Sequence, residues 1–322
     1  MAIISASRRT DIPTYFGEWL VNRLEAGEVY TRNNPYNPNA VSHITFSKED
    51  IDCVVLWTKN PASIMPFLER LKAFPCYFQY TITGYGKQVE SNVPELSKSV
   101  EMFKELSRSL TRASSDYRVI WRYDPIIFTK EFTPEWHLKN FETIAKSLAG
   151  FTNRVVISFV DIYSFVKTQM QDNKIISWNA DENKLTNFCR RLAEIAHCYG
   201  MEIYTCAETI ELAKVGIKHG SCIDKAFIEN MLGYKLKVKK DKSQRPTCGC
   251  VESVDIGKYN TCPNGCVYCF ARKNPSETME NFKMYDVNSP ILCDTIKPTD
   301  VITERRLSSM RIPEEYDQLT LF

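Results

Sequence analysis

Six short apolar runs of strand character alternate with helix-like segments over the first two-thirds of this 322-residue chain, and that alternation restricts the fold more than any other feature. The runs are Ala2–Ala6, Cys53–Trp57, Tyr77–Ile82, Arg118–Arg122, Arg154–Phe159 and Glu202–Cys206. Apolar residues at helical spacing follow them, such as Phe16, Trp19, Leu20 and Leu24, then Ile64, Phe67, Leu68 and Leu71, with a last helix expected from about Glu208. Gly27, Gly150 and Gly200 mark helix ends, and Thr133-Pro134-Glu135 is a capped helix start. Residues 28–46, broken by two prolines, read as an extended or hairpin excursion. Strands joined through helices form a parallel sheet with right-handed crossovers. Six units are too few for the closed eight-unit barrel.

In any such sheet the working end is where the C-terminal ends of the strands meet the helix starts. Those ends carry Ser7–Asp11, Thr58–Asn60, Thr83–Gly86, Arg122–Pro125, Asp161 and Cys206–Glu208. One polar strand end is ordinary capping, but six in succession predict a shared site. The four histidines, His43, His137, His197 and His219, fall in helices or flanks, so hydrolysis by a Ser/His/Asp constellation finds little support. With 43% hydrophobic and 25% charged residues the composition is that of a soluble globular protein. A net charge of +2 neither demands nor excludes a nucleic-acid partner. The apolar start is too short for an export signal, and no later run is long enough to span a bilayer, so no membrane partner and a cytoplasmic location are expected.

Twelve cysteines without an export signal point to metal or redox use in a reducing compartment. Cys53, Cys76, Cys189, Cys198 and Cys293 read as small buried hydrophobes. The other seven crowd into one stretch. Cys262, Cys266 and Cys269 have C-x3-C-x2-C spacing, and three thiolates on so short a turn can hold three irons of a 4Fe–4S cubane. The fourth iron then stays open for a ligand. Gly265 permits the tight path of the turn. A zinc knuckle is the alternative, against which stand the x3 spacing and the missing local fourth ligand. Cys206, Cys222, Cys248 and Cys250 can supply a second, closed cluster; zinc or a reactive thiol stays open for them.

The triplet, with the aromatic Tyr268 before its last cysteine, resembles the cluster motif of radical SAM enzymes. SASRRTDIP, CAE, SCID and CGC…DIGKY…CPNGCVYCFA make nearly the whole chain similar to a bacterial family of unknown function. Its members are radical-SAM-like proteins with a C-terminal cysteine cluster. Arg122-Tyr123-Asp124-Pro125-Ile126 also resembles the Arg-x-x-Pro turn of spore-photoproduct-lyase-like proteins. The resemblance implies an α/β fold, the partial (βα)6 barrel, and reductive cleavage of S-adenosylmethionine (SAM). It implies SAM chelated at the open iron and an electron donor such as flavodoxin or ferredoxin. Lys59, Arg122, Asp124 and Glu208, chosen by strand-end position, are the candidates for binding the carboxylate, ribose or amine of SAM. In typical radical SAM enzymes the triplet follows the first strand; here it follows all six, so the C-terminal segment is expected to fold back over the sheet's mouth.

The expected divisions are a core at 1–232, a basic linker with the cysteine segment at 233–292, and a tail at 293–322. The tail ends in Gln318-Leu319-Thr320-Leu321-Phe322, which resembles the bacterial sliding-clamp peptide. A clamp partner and a nucleic-acid substrate, in repair or modification, are therefore expectations. The competing reading is a non-catalytic zinc- or cluster-binding nucleic-acid module.

Overall fold

The computed structural model describes residues 2–34, 36–111, 116–161, 163–172 and 182–313. In chain order its strands are β1 (Ile3–Ala6), β2 (Glu28–Thr31), β3 (Ala40–Thr45), β4 (Cys53–Thr58), β5 (Cys76–Thr81), β6 (Val119–Ile126), β7 (Arg154–Phe159), β8 (Glu202–Cys206), β9 (Lys218–Gly220), β10 (Val254–Asp255) and β11 (Val301–Arg306). Eight of them form one parallel sheet in the order β10-β1-β4-β5-β6-β7-β8-β9. All six expected strands lie in its centre, in the order in which the chain makes them. The sheet is open, with β10 and β9 as its edges. A second sheet, β11-β3-β2, contains the hairpin expected at 28–46.

The two faces of the large sheet bury different sets of residues, because side chains alternate along a strand. Ile4, Val54, Phe78, Trp121, Val155 and Ile203 pack under the helices, among them Leu96–Leu110, Pro134–Leu148 and Glu182–Cys198. Ile3, Val55, Tyr77, Ile120 and Val156 point the other way, into a smaller apolar cluster that also holds Cys222, Cys248 and Cys250. Among the described residues no helix is long and apolar enough to cross a membrane.

Several expectations need correction. No helix starts at Glu208. A 3-10 turn at Ala213–Val215 ends on Gly216 in the left-handed region, and the chain turns at once into β9. Between 61 and 71 the expected helix is a 3-10 turn, Met65–Phe67, followed by the short helix Leu68–Leu71. Pro66 lacks the amide hydrogen that a continuous helix would use. Cys198, at the end of its helix, is exposed, whereas Cys53, Cys76, Cys189 and Cys293 are buried. The stretches expected as linker and tail each add a strand: β10 pairs with β1, and β11 pairs with β3. Both escape detection for physical reasons, β10 because it has two residues and β11 because its side chains are all exposed.

His137 illustrates how completely the helical layer is sealed. It is fully buried, with Nδ1 bonded to the Tyr123 hydroxyl at 2.8 Å and Nε2 to the Ile127 carbonyl at 3.0 Å. Burial disfavours the charged ring and lowers its pKa to about 4 from an ordinary 6.5. The unfolded chain therefore binds a proton near pH 6.5 that the folded chain refuses until about pH 4. Stability contributed by this residue is complete above pH 6.5 and falls as pH drops through that window, by roughly 3 kcal/mol in all. Chemical denaturation should show the advantage of wild type over His137→Gln shrinking by that amount between about pH 7 and 4. A constant difference would contradict a neutral buried ring.

Candidate functional site

Parallel register and the two-residue strand period bring Ser7, Trp57, Arg122, Asp124, Ser158 and Cys206 to one face at the C-terminal ends of their strands. They line a cavity of about 440 Å³, within the usual range for a small-molecule site. Its wall also includes residues of the loop after β1 and of other strand ends, such as Arg9, Thr10 and Lys59, and residues from the segments 243–250 and 262–272. Both cysteine groups reach it, and all seven of these thiols line it.

The triplet arrives from far along the chain and is tied down by a specific set of bonds. Asn264 donates to the Asp11 carboxylate at 3.0 Å and accepts from the Tyr15 hydroxyl at 2.8 Å. Asn92 donates its side-chain amide to the Pro263 carbonyl at 2.7 Å and its backbone amide to that of Asn264 at 3.0 Å. The Val267 amide bonds to the Val89 carbonyl at 3.0 Å. Asp11 also accepts from the backbone amides of Thr14 at 3.1 Å and Lys59 at 2.8 Å, so one carboxylate joins the loop after β1, the end of β4 and the cysteine turn. Gly265 has φ +72°, and a Cβ there would lie 2.1 Å from the Ser91 hydroxyl oxygen. The left-handed φ favours glycine here, and any Cβ would also force the Ser91 hydroxyl to move.

Around Cys266 sits a buried polar group. Lys59 Nζ lies 2.8 Å from Glu90 Oε1 and 5.5 Å from the centre of the Tyr268 ring. Glu90 also accepts from the Thr83 hydroxyl at 2.9 Å and from the Tyr268 hydroxyl. Burial works against the Lys59 charge, but Glu90 and Cys266 outweigh it and the pKa moves up. Burial pushes the Cys262, Cys266 and Cys269 thiols up, while Lys59 draws the last two back in part. None of these three sulfurs is bonded to another protein thiol. Separated soft donors around a cavity, with a cation beside them, fit an iron–sulfur cluster better than a hard cation.

The second group has the opposite geometry. Cys206 and Cys222 sulfurs are 3.0 Å apart, Cys222 contacts Cys250, and Cys250 contacts Cys248. Arg122 Nη1 lies 3.0 Å from the Cys222 sulfur. Hydrogen bonds from Cys206 and Cys250 hold the Cys222 thiol well below its ordinary range, and Arg122 and Arg8 add to this. Among the described residues no three His, Cys, Asp or Glu side chains stand ready-made around a metal position. The Cys206–Cys222 sulfurs are closer than two thiolate ligands of one zinc ion sit.

A family model described as a domain of unknown function, DUF1848, matches residues 3–271. The chain belongs to that family. The matched region contains every strand of the large sheet and ends two residues after Cys269. No curated protein matches the chain.

Against this frame the strand-end candidates divide. Lys59 lies in the cavity wall beside Cys266. Arg122 and Asp124 line it too, but they are paired with each other, and the guanidinium also serves Gln79 at 3.3 Å and Cys222. Arg122 thus faces the quartet instead of standing free for a ligand carboxylate. Glu208 is off the cavity. Its carboxylate caps the end of β7 by accepting from the Phe159 amide at 2.8 Å, and burial raises its pKa. No histidine lines the cavity. Within the Ser7–Asp11 strand end, Arg9 and Thr10 line the cavity, and Arg9 Nη1 and Thr10 Oγ1 lack a hydrogen-bond partner. Not singled out by the sequence were Glu90, Asn264 and Arg272, whose Nε also lacks a hydrogen-bond partner in the cavity wall. The peptide Gln318–Phe322 lies outside the described residues.

Proposed function

We propose that this chain is a radical SAM enzyme, with a 4Fe–4S cluster on Cys262, Cys266 and Cys269. The observation that carries the reading is the docking of the cysteine turn onto the loop after β1 through Asn264, Asp11 and Tyr15. That loop is where typical radical SAM enzymes carry their triplet in sequence, so the docking of a displaced motif there supports the reading. The open central sheet of six consecutive strands suits the partial (βα)6 barrel of that family. When bound, the cluster supplies one-electron reduction of the SAM sulfonium, which releases methionine and a 5′-deoxyadenosyl radical.

The chain's own residues have separable tasks. Lys59, locked by Glu90 and Tyr268, keeps a positive charge beside the thiolates. Thr10 Oγ1 and Arg272 Nε, which have no hydrogen-bond partner, and Arg9 Nη1, held only by a 4.0 Å ion pair with Asp255, offer donors to the carboxylate and ribose of SAM. A low-potential flavodoxin or ferredoxin would serve as electron source. Exposed Lys235, Lys237, Lys239, Lys240 and Lys242 directly precede the cavity-lining residues Ser243–Arg245 in the chain, which favours an anionic macromolecular substrate such as nucleic acid.

The test is anaerobic. Protein reconstituted with iron and sulfide, reduced with dithionite and given SAM should form 5′-deoxyadenosine. Protein with a full complement of iron and sulfide that forms none would sink the proposal.

A further inference from the structure

We propose that Cys206, Cys222, Cys248 and Cys250 form a closed tetrathiolate site for a single zinc ion, separate from the triplet. The four thiols come from the end of β8, the turn after β9, and a C-x-C loop, yet they form a continuous chain of sulfur contacts beginning with the 3.0 Å pair. Zn–S bonds of about 2.3 Å in a tetrahedron place sulfurs about 3.8 Å apart. The Cys206–Cys222 pair therefore needs to open by less than about 1 Å to admit the ion. In a cubane each cysteine binds a different iron, so the ligand sulfurs are spread around the cluster and do not touch. Metal-free thiols in contact are a collapsed form of the zinc geometry, not of the cluster geometry.

Two further observations support a fixed ion here. Segment 233–253, between the helix Lys225–Leu232 and β10, has only isolated bridges at Leu236 and at Lys240–Val251. Irregular stretches longer than about 12–15 residues need an added constraint to hold one conformation. Its sequence is rich in lysine, and its buried apolar residues are Leu236, Cys248, Cys250 and Val251, which enter the smaller apolar cluster. A metal cross-link from the C-x-C loop to β8 would add to that small anchor. Two cations also face the site. Four thiols binding Zn²⁺ release four protons to solvent and leave a net charge of −2 at the site. Arg122 lies 3.0 Å from Cys222, and Arg8 acts on Cys250 and Cys222. The Ile223 amide donates to the Cys250 sulfur at 3.4 Å, as amides do around metal thiolates.

The experiment is independent of the radical SAM reading because it is read with the triplet removed. The full chain carrying Cys262→Ala, Cys266→Ala and Cys269→Ala should retain one zinc per chain. Cobalt exchange should give the intense visible bands of tetrahedral cobalt thiolate. Adding Cys248→Ala and Cys250→Ala should abolish both signals, whereas Cys248→His, a permitted zinc ligand, should retain the metal. In case the triplet variant does not fold, zinc X-ray absorption on the wild-type chain should show four sulfurs at about 2.3 Å. A three-sulfur shell would put the ion on the triplet and overturn the inference. So would iron and sulfide in the triplet-free protein, or a Cys206–Cys222 disulfide in its place.

Discussion

Cys266→Ala should reduce 5′-deoxyadenosine formation to background while the protein stays folded. Three thiolates are the minimum that leaves one iron of a cubane open, so removing one leaves too few ligands to hold the cluster. Cys266 is the buried member of the triplet, set between Lys59 and the Glu90 strand contact. Its side chain is small, so its truncation costs little packing. Cys293→Ala is the matched control. That thiol is equally buried but packs in the main core, away from the cavity. Iron content and product should be unchanged there. Iron, sulfide and SAM cleavage surviving in Cys266→Ala at wild-type levels would remove the triplet from the chemistry.

Glu90→Ala should destabilise the fold by about 3–5 kcal/mol, because it leaves the Lys59 ammonium buried without its partner. The Glu90 side chain is 5% and that of Lys59 14% exposed, so solvent screens the pair little. The same carboxylate holds Tyr268 and Thr83, so the variant should also bind its cluster more weakly, by about 10–100-fold if Glu90 acts as outer-shell partners do. Removing both charges, as in Lys59→Met with Glu90→Leu, should recover most of the stability but not the cluster affinity. Denaturant titration and iron retention read the two effects separately. A loss below about 1 kcal/mol in Glu90→Ala would mean that the pair is solvated.

Much of this was legible before any coordinates. Short apolar runs located all six central strands, since a parallel strand buried on both faces reads as a near-continuous apolar run. Strand-end position pointed to Lys59 and the Arg122–Asp124 turn. It failed for Glu208, whose side chain folds back on the Phe159 amide. Glu90 carries no signal in sequence. It lies in the loop between β5 and the helix Leu96–Leu110, and it matters only because Tyr268, far along the chain, reaches it.

By itself the sequence determined the alternation of strands and helices, the parallel sheet, and the short thiol turn at 262–269. Each of these depends on residues close together in the chain, where spacing translates directly into geometry. Only the tertiary structure decided that the turn returns to β1, that the four other thiols meet, and that Arg122 faces them. Those contacts join residues up to 253 positions apart, such as Asp11 and Asn264. Their partners are selected by how the sheet stacks and which ends it brings together, and no local pattern encodes that.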